Sequence, residues 1–316
     1  MTEHPLDGGN VAAGVVRVGD TVRKPAGFWT PAVDALLTHV RQAGFTGAPR
    51  PLGRDDQGRQ VLEYVPGPMA MDQPQLDEAG LHRVGQLIRS LHDASADFLP
   101  PPGARWNVVI PPDRADLVCH HDLAPWNLVT GPDRWVFIDW DGAGPGSRLW
   151  DLAYAMKGFV PLIDGGDPVA DAPRLRALAD GYRLSTGQRA ELPPLISAHT
   201  RGMADLLDNG ARTGTQPWAR LHAEGHGEHW TAAADYIERN LPAWRRALKQ
   251  EMMAFAPAAC GDDRIIADIC TPHDGCRYPQ SWPPPRAPGA GPCGEGDGRA
   301  ATVWEGLWRK AGVVVG

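Results

Sequence analysis

The chain has 316 residues, 42% of them hydrophobic, enough for one large domain or for two lobes around a cleft. A formal charge of -7 argues against a nucleic-acid binder, which normally carries a basic stripe, and suits a cationic small molecule instead. No apolar run approaches the roughly 18 residues that span a bilayer, and the opening MTEHPLDGGN lacks the segments of a signal peptide, so the expectation is a cytoplasmic protein without membrane partners.

In chain order, residues 11–25 alternate apolar and polar side chains around Gly19-Asp20, the pattern of a β-hairpin. Thr30 with Pro31 is placed to start a helix, whose apolar face is Val33, Leu36, Leu37 and Val40 and whose end is Gly44. Residues 59–65 read as another strand, stopped by Pro66-Gly67-Pro68, where a β-rich lobe of residues 1–68 is expected to end. From Pro74 to Ala94, Leu81, Val84, Leu87, Ile88 and Leu91 recur at helical spacing. Residues 117–119, 128–130 and 135–139 are too short for helices and too apolar for loops, and are read as strands. Helices are expected at 150–160, 173–185, 193–209 and 228–253, completing a helical lobe over 69–255. Residues 256–316 are dominated by Pro and Gly and are expected to form a disordered tail, with a marginal amphipathic turn at Trp304, Leu307 and Trp308.

The stretch that carries chemistry is His120-His121-Asp122-Leu123-Ala124-Pro125-Trp126-Asn127, followed by a strand that delivers Asp139. Phosphoryl transfer needs a group to orient the attacking hydroxyl, oxygen ligands for magnesium and a cation for the phosphates. Asp122, Asn127 and Asp139 supply oxygens of the right kind, on a loop stiffened by Pro125 and at a strand end. HHDLAPWN resembles the HxDxxxxN catalytic loop of the protein-kinase-like fold, and IDWDGAGPGSRLWDLA resembles the ID...DLA segment of the aminoglycoside phosphotransferase family, which includes antibiotic kinases and choline-type kinases.

That resemblance spans roughly residues 5 to 250 and implies a two-lobed α+β fold, a small antiparallel sheet with one helix above a mainly helical lobe. It implies ATP or GTP and Mg2+ as cofactors, Asp122 as catalytic base, Asn127 and Asp139 as magnesium ligands, His120 as a structural residue and Asp151 as a support for the catalytic loop. Gly8 and Gly9 resemble the turn that covers nucleotide phosphates. Lys24, on the face of Val22, is the phosphate-gripping cation, with Arg23 as the alternate, and Glu63-Tyr64-Val65 resembles the hinge whose backbone at Glu63 and Val65 reads adenine. The glutamate that usually pairs with such a lysine is missing from residues 31–43, where only Asp34 stands.

For the acceptor, a small molecule, Asp141, Trp126 and Trp140 are near the loop in sequence and suit a cation. The reading is therefore a small-molecule kinase acting on a hydroxyl of an aminoglycoside-like or other small acceptor; the alternatives are a catalytically impaired nucleotide-binding protein or a choline, sugar or amino-acid kinase. Competing metal readings are weaker: Pro125 disfavours a helical His-Asp metal site, and the glycines between His222, His226 and His229 disfavour a zinc helix. The four cysteines Cys260, Cys270, Cys276 and Cys293 match no paired zinc spacing. Trp230 and Trp244 lie on apolar helical faces and read as core.

Overall fold

The computed structural model describes residues 2–6 and 14–249. Gly8, Gly9 and the Pro/Gly-rich segment from 256 onward, with its four cysteines and Trp304, Leu307 and Trp308, lie outside the described residues.

Turn chemistry builds the first layer. A short edge strand, β1 (His4–Pro5), pairs antiparallel with β2 (Val16–Val18), and β2 turns into β3 (Thr21–Lys24) through Gly19-Asp20, with Gly19 at φ +59° where a Cβ would be strained. Then comes α1 (Thr30–Gln42), with Val33, Leu36, Leu37 and Val40 buried along one face. Thr30 is not its side-chain cap: it already lies inside the helix, and its hydroxyl accepts from the Gly27 amide at 2.9 Å. Two further strands, β4 (Pro51–Arg54) and β5 (Gln60–Glu63), complete an antiparallel sheet of order β1-β2-β3-β5-β4. β3 and β5 align Val22 with Leu62 and Lys24 with Gln60, so Val22 and Lys24 share a face and Lys24 turns inward. β1 and β4 were not legible, since one is two residues long and the other carries Pro51 and Gly53.

After Pro66-Gly67-Pro68 the chain lies against the rest of the molecule: the Thr130 amide donates to the Pro68 carbonyl at 2.9 Å and Met69 bridges to Val129. Helix α2 (Glu78–Ala94) starts later than its apolar pattern suggests because Asp77 caps it, accepting from the Gly80 amide at 2.8 Å. Two small ribbons follow. One pairs β6 (Leu117–Cys119) with a strand formed further on; the other pairs β7 (Leu128–Thr130) with β8 (Trp135–Phe137). The partner of β6 is β9 (Gly144–Gly146), a Gly-Pro-Gly segment whose composition reads as a turn.

The helical part contains α3 (Arg148–Phe159), α4 (Pro168–Tyr182), α5 (Thr186–Thr213), α6 (Trp218–Ala223), α7 (His226–Arg239) and α8 (Leu241–Lys249). The single helix expected over 228–253 is thus two, broken at Asn240, because Pro242 lacks an amide proton and its ring clashes with the preceding turn. One apolar core runs from Leu36 and Leu37 in α1 through Leu81 and Ile88 in α2 to Leu152 and Met156 in α3 and Leu175 in α4. Among the described residues no helix is long and apolar enough to cross a membrane.

Helices α2 and α4 approach backbone to backbone. A Cβ on Gly85 would sit 2.2 Å from the Leu178 carbonyl oxygen, and one on Gly181 would sit 2.0 Å from that of His82. Gly85→Ala is expected to cost about 1–3 kcal/mol through overpacking against main chain that cannot rotate away, despite alanine's better helix propensity; urea unfolding of the two proteins measures it.

Candidate active site

The loop after β6 is short and polar yet buried, so its backbone groups need partners. Asp151, in the first turn of α3, provides them: its carboxylate accepts from the His121 amide at 2.8 Å and the His120 amide at 3.1 Å. The same carboxylate contacts His92 Nε2 at 3.0 Å, and His92 Nδ1 meets the Tyr182 hydroxyl at 2.7 Å. Burial would raise the Asp151 pKa, but the hydrogen bond and charge of His92 and the neighbouring histidines hold it down at about 2. His120 locks the loop from below. Its Nδ1 accepts from the Asp122 amide at 3.2 Å and its Nε2 contacts the Ile138 carbonyl at 3.1 Å. Burial lowers its pKa to about 4, so it is neutral.

Held in this way, Asp122 is fully buried, and Asn127 Nδ2 donates to its Oδ2 at 2.7 Å and to its backbone carbonyl at 3.0 Å. The Tyr154 hydroxyl faces the same carboxylate, and burial together with that negative charge raises the phenol pKa well above its ordinary value. Asn127 is tied to the following ribbon, since the Ile138 amide donates to its carbonyl at 2.8 Å. The next residue is Asp139. Like His121 at φ +66°, it adopts left-handed backbone, at φ +58°, a cost of roughly 1–3 kcal/mol that clusters at functional sites.

From the sheet above, Lys24 reaches down to Asp139 Oδ1 at 3.0 Å and Asp141 Oδ2 at 2.8 Å. Burial would lower the lysine pKa, but the two carboxylates overcome it and raise the pKa above the usual value. Arg23 points the other way, to Asp55 at 3.4 Å. Asp34 is spent on Gln60 Nε2 at 2.6 Å, so the partner that the helix lacks is supplied by Asp141. Asp141, buried and raised in pKa by that burial, therefore does not face an acceptor. Nor does Trp140, whose indole donates to the Phe137 carbonyl at 2.9 Å and whose ring stands 4.5 Å from His120. Trp126 is buried against Tyr154, with ring centroids 6.3 Å apart.

Glu63 is not an idle acid at a strand end: its carboxylate accepts from Arg134 Nη2 at 2.6 Å and from the Arg50 amide at 3.1 Å. Its own amide donates to Arg50 and that of Tyr64 to Asp20, both at 2.9 Å, so the first main-chain amide past the sheet belongs to Val65, itself buried. His92, Tyr154 and Asp141 in its pairing role were not foreseen. His92 follows Ile88 by four residues on the apolar face of α2, which was the available signal. His92, Cys119 and Asp151 bring ligand atoms within 4.8 Å of one another, but the histidine and carboxylate are already satisfied by the contacts above, and the thiol, raised in pKa by burial, donates to the Ser147 carbonyl at 3.5 Å.

The sequence model described as the phosphotransferase enzyme family matches residues 104–192, the segment that holds Asp122, Asn127, Asp139 and Asp151. The trifolitoxin immunity protein of Rhizobium leguminosarum bv. trifolii is 33% identical over 189 residues, covering 55% of this chain and 72% of that protein. The chain belongs to the phosphotransferase enzyme family. Among solved structures, the microcompartment-associated aminopropanol kinase superposes with a TM-score of 0.55 at 16% identity, covering 78% of this chain and 94% of that one. A choline/ethanolamine kinase family protein from Mesorhizobium loti gives 0.52 at 18% identity, covering 77% and 93%. This phosphotransferase therefore has the two-lobed α+β kinase-like fold expected from its catalytic-loop motif.

Two measurements probe the phosphotransferase loop. Asp151→Asn removes a charge that two amides and His92 share, and is expected to cost about 2–4 kcal/mol in chemical unfolding. Burial also lowers the pKa of His199 and His229, each to about 3. With His120 these groups are neutral when folded and take up protons only on unfolding, so their stabilisation is complete above about pH 6.5, the unfolded value. It is lost at about 1.4 kcal/mol per histidine per pH unit as pH falls toward 4; urea midpoints between pH 7 and 4 should drop accordingly.

Proposed function

We propose that this protein transfers the γ-phosphoryl group of ATP or GTP to a hydroxyl group of a small molecule. The observation that carries the reading is the juxtaposition of a buried cation from the sheet, Lys24, with Asp139, next to an Asp122–Asn127 pair on a rigid loop. In this reading Asp122 accepts the hydroxyl proton as the new O–P bond forms and the bond to the β-phosphate oxygen breaks, an effect of about a hundredfold to ten-thousandfold for a positioned base. Asn127 Nδ2 is committed to Asp122, which leaves its side-chain oxygen as a ligand; with the Asp139 carboxylate that makes a set of hard oxygen donors fitting a divalent cation. Mg2+ held there would neutralise charge on the phosphates.

Lys24 serves the phosphates from the opposite side. The absence of a glutamate from α1 favours an impaired, binding-only protein; the Asp141 carboxylate, which meets Lys24 at 2.8 Å in its stead, supports the active reading. The adenine edge is assigned to the main chain from Glu63 to Val65, starting at the Val65 amide. Gly8 and Gly9 are assigned to the phosphates on the sequence pattern alone. Pro66–Pro68 marks the boundary proposed between the lobes, with the helical lobe from residue 69.

An Asp122→Asn variant is expected to bind nucleotide as before and to lose about a hundredfold or more in kcat, followed by coupled ADP release. Lys24→Met should weaken nucleotide binding and kcat together. Full activity in the Asp122 variant would remove the base assignment.

A further inference from the structure

Next to Asp122 lies a second cluster, built around Trp126, Trp150, Tyr154 and Trp230. Tyr154 and Trp230 stack at 6.2 Å, and the His199 ring sits 4.8 Å from both Trp150 and Tyr154. An indole N–H is a donor only, and a buried donor without an acceptor costs about 1–3 kcal/mol. Yet Trp126, Trp150 and Trp230 all bury their Nε1 with no acceptor among the described residues. Three such groups in one patch make it short of acceptor oxygens.

Charge sharpens this. Lys157, three residues after Tyr154 on α3 and 4% exposed, holds its Nζ 3.7 Å from the centre of the Trp230 ring. Among the described residues no carboxylate lies within ion-pair distance of it. A desolvated cation–π contact is worth about 2 kcal/mol, less than the several kcal/mol that burying an ammonium costs. Burial accordingly lowers the lysine pKa to about 7. The next residue, Gly158, packs against Ala124 and Pro125 of the Asp122 loop, and the Tyr154 hydroxyl one turn earlier faces Asp122 itself, so α3 runs alongside that loop.

We propose that this patch is the acceptor subsite and that it takes a hydroxy-carboxylate: the hydroxyl toward Asp122, the carboxylate toward Lys157, with the indole N–H groups donating to its oxygens. The assignment rests on the kinase reading for the role of Asp122. It opposes a cationic acceptor, because Asp141 is committed to Lys24 and the charge at the far end of the patch is positive. The reaction yields a phosphorylated acid, the nucleoside diphosphate and one proton.

The test uses the full chain in phosphate-free buffer. Calorimetry compares glycerate with glycerol, and serine with ethanolamine, each pair differing by a carboxylate, for wild type, Lys157→Met and Lys157→Arg. The acids are expected to bind at least tenfold more tightly than their partners, with proton uptake at pH 8 as the lysine is recharged. Lys157→Met should abolish the preference and the proton uptake, and Lys157→Arg should keep part of the preference. Since Lys157→Met replaces a buried amine, whose burial nothing compensates, by an apolar side chain of similar length, it should raise Tm, so lost binding could not be attributed to misfolding. Preference for the amines, or an acid preference that survives Lys157→Met, or no acid preference at all, overturns the proposal. Coupled ADP release separates the two readings: Lys157-dependent acid binding without phosphate transfer to any acceptor defeats the kinase reading alone, whereas transfer only to amino alcohols defeats the subsite alone.

Discussion

A single carboxylate, that of Asp151, does for the loop that carries Asp122 what a strand ladder does for a sheet. The loop has to be buried to place Asp122 against Asn127, but its left-handed turn at His121 leaves two adjacent amides with no main-chain acceptor. A charged acceptor at the start of a helix satisfies both, and the positive end of the helix favours its ionised form. His92 and Tyr182 then fix that acceptor from α2 and α4, so the geometry of the loop is inherited from the tight packing of those two helices.

Much of the site was legible in the sequence because its chemistry is contiguous. Asp122, Asn127, Asp139 and Asp151 occur in order along one segment, with Pro125 and short apolar runs that define loop and strands. Lys24 followed from period-two alternation with Val22. What alternation and helical spacing cannot give is the partner across the fold. Asp34 was the nearest acid by position on the helix, yet it bonds Gln60, and Lys24 is met by Asp141 from beyond β8. Tyr154 and Lys157 were hidden for the same reason: in a helix buried almost all round, residue type shows burial and not direction. β9 was missed because Gly-Pro-Gly reads as a turn until β6 supplies its hydrogen bonds.

The lower lobe divides its aromatic residues between two tasks. Trp244 and Tyr182 sit in the main core. Trp126, Trp150 and Trp230 form a separate cluster with polar edges left unmatched beside the loop. Counting tryptophans does not distinguish these roles; what each ring packs against does.

The bond between Glu63 and Arg134 links the last strand of the upper sheet to the turn between β7 and β8 below it. The two side chains are only 18% and 27% exposed, so the clasp is partly shielded from solvent ions. Any swing of the upper lobe away from the lower must pull this pair apart, next to the backbone assigned to the base. The seam between sheet and ribbon is thereby only weakly sensitive to ionic strength, because added salt screens a half-buried pair far less than an exposed one.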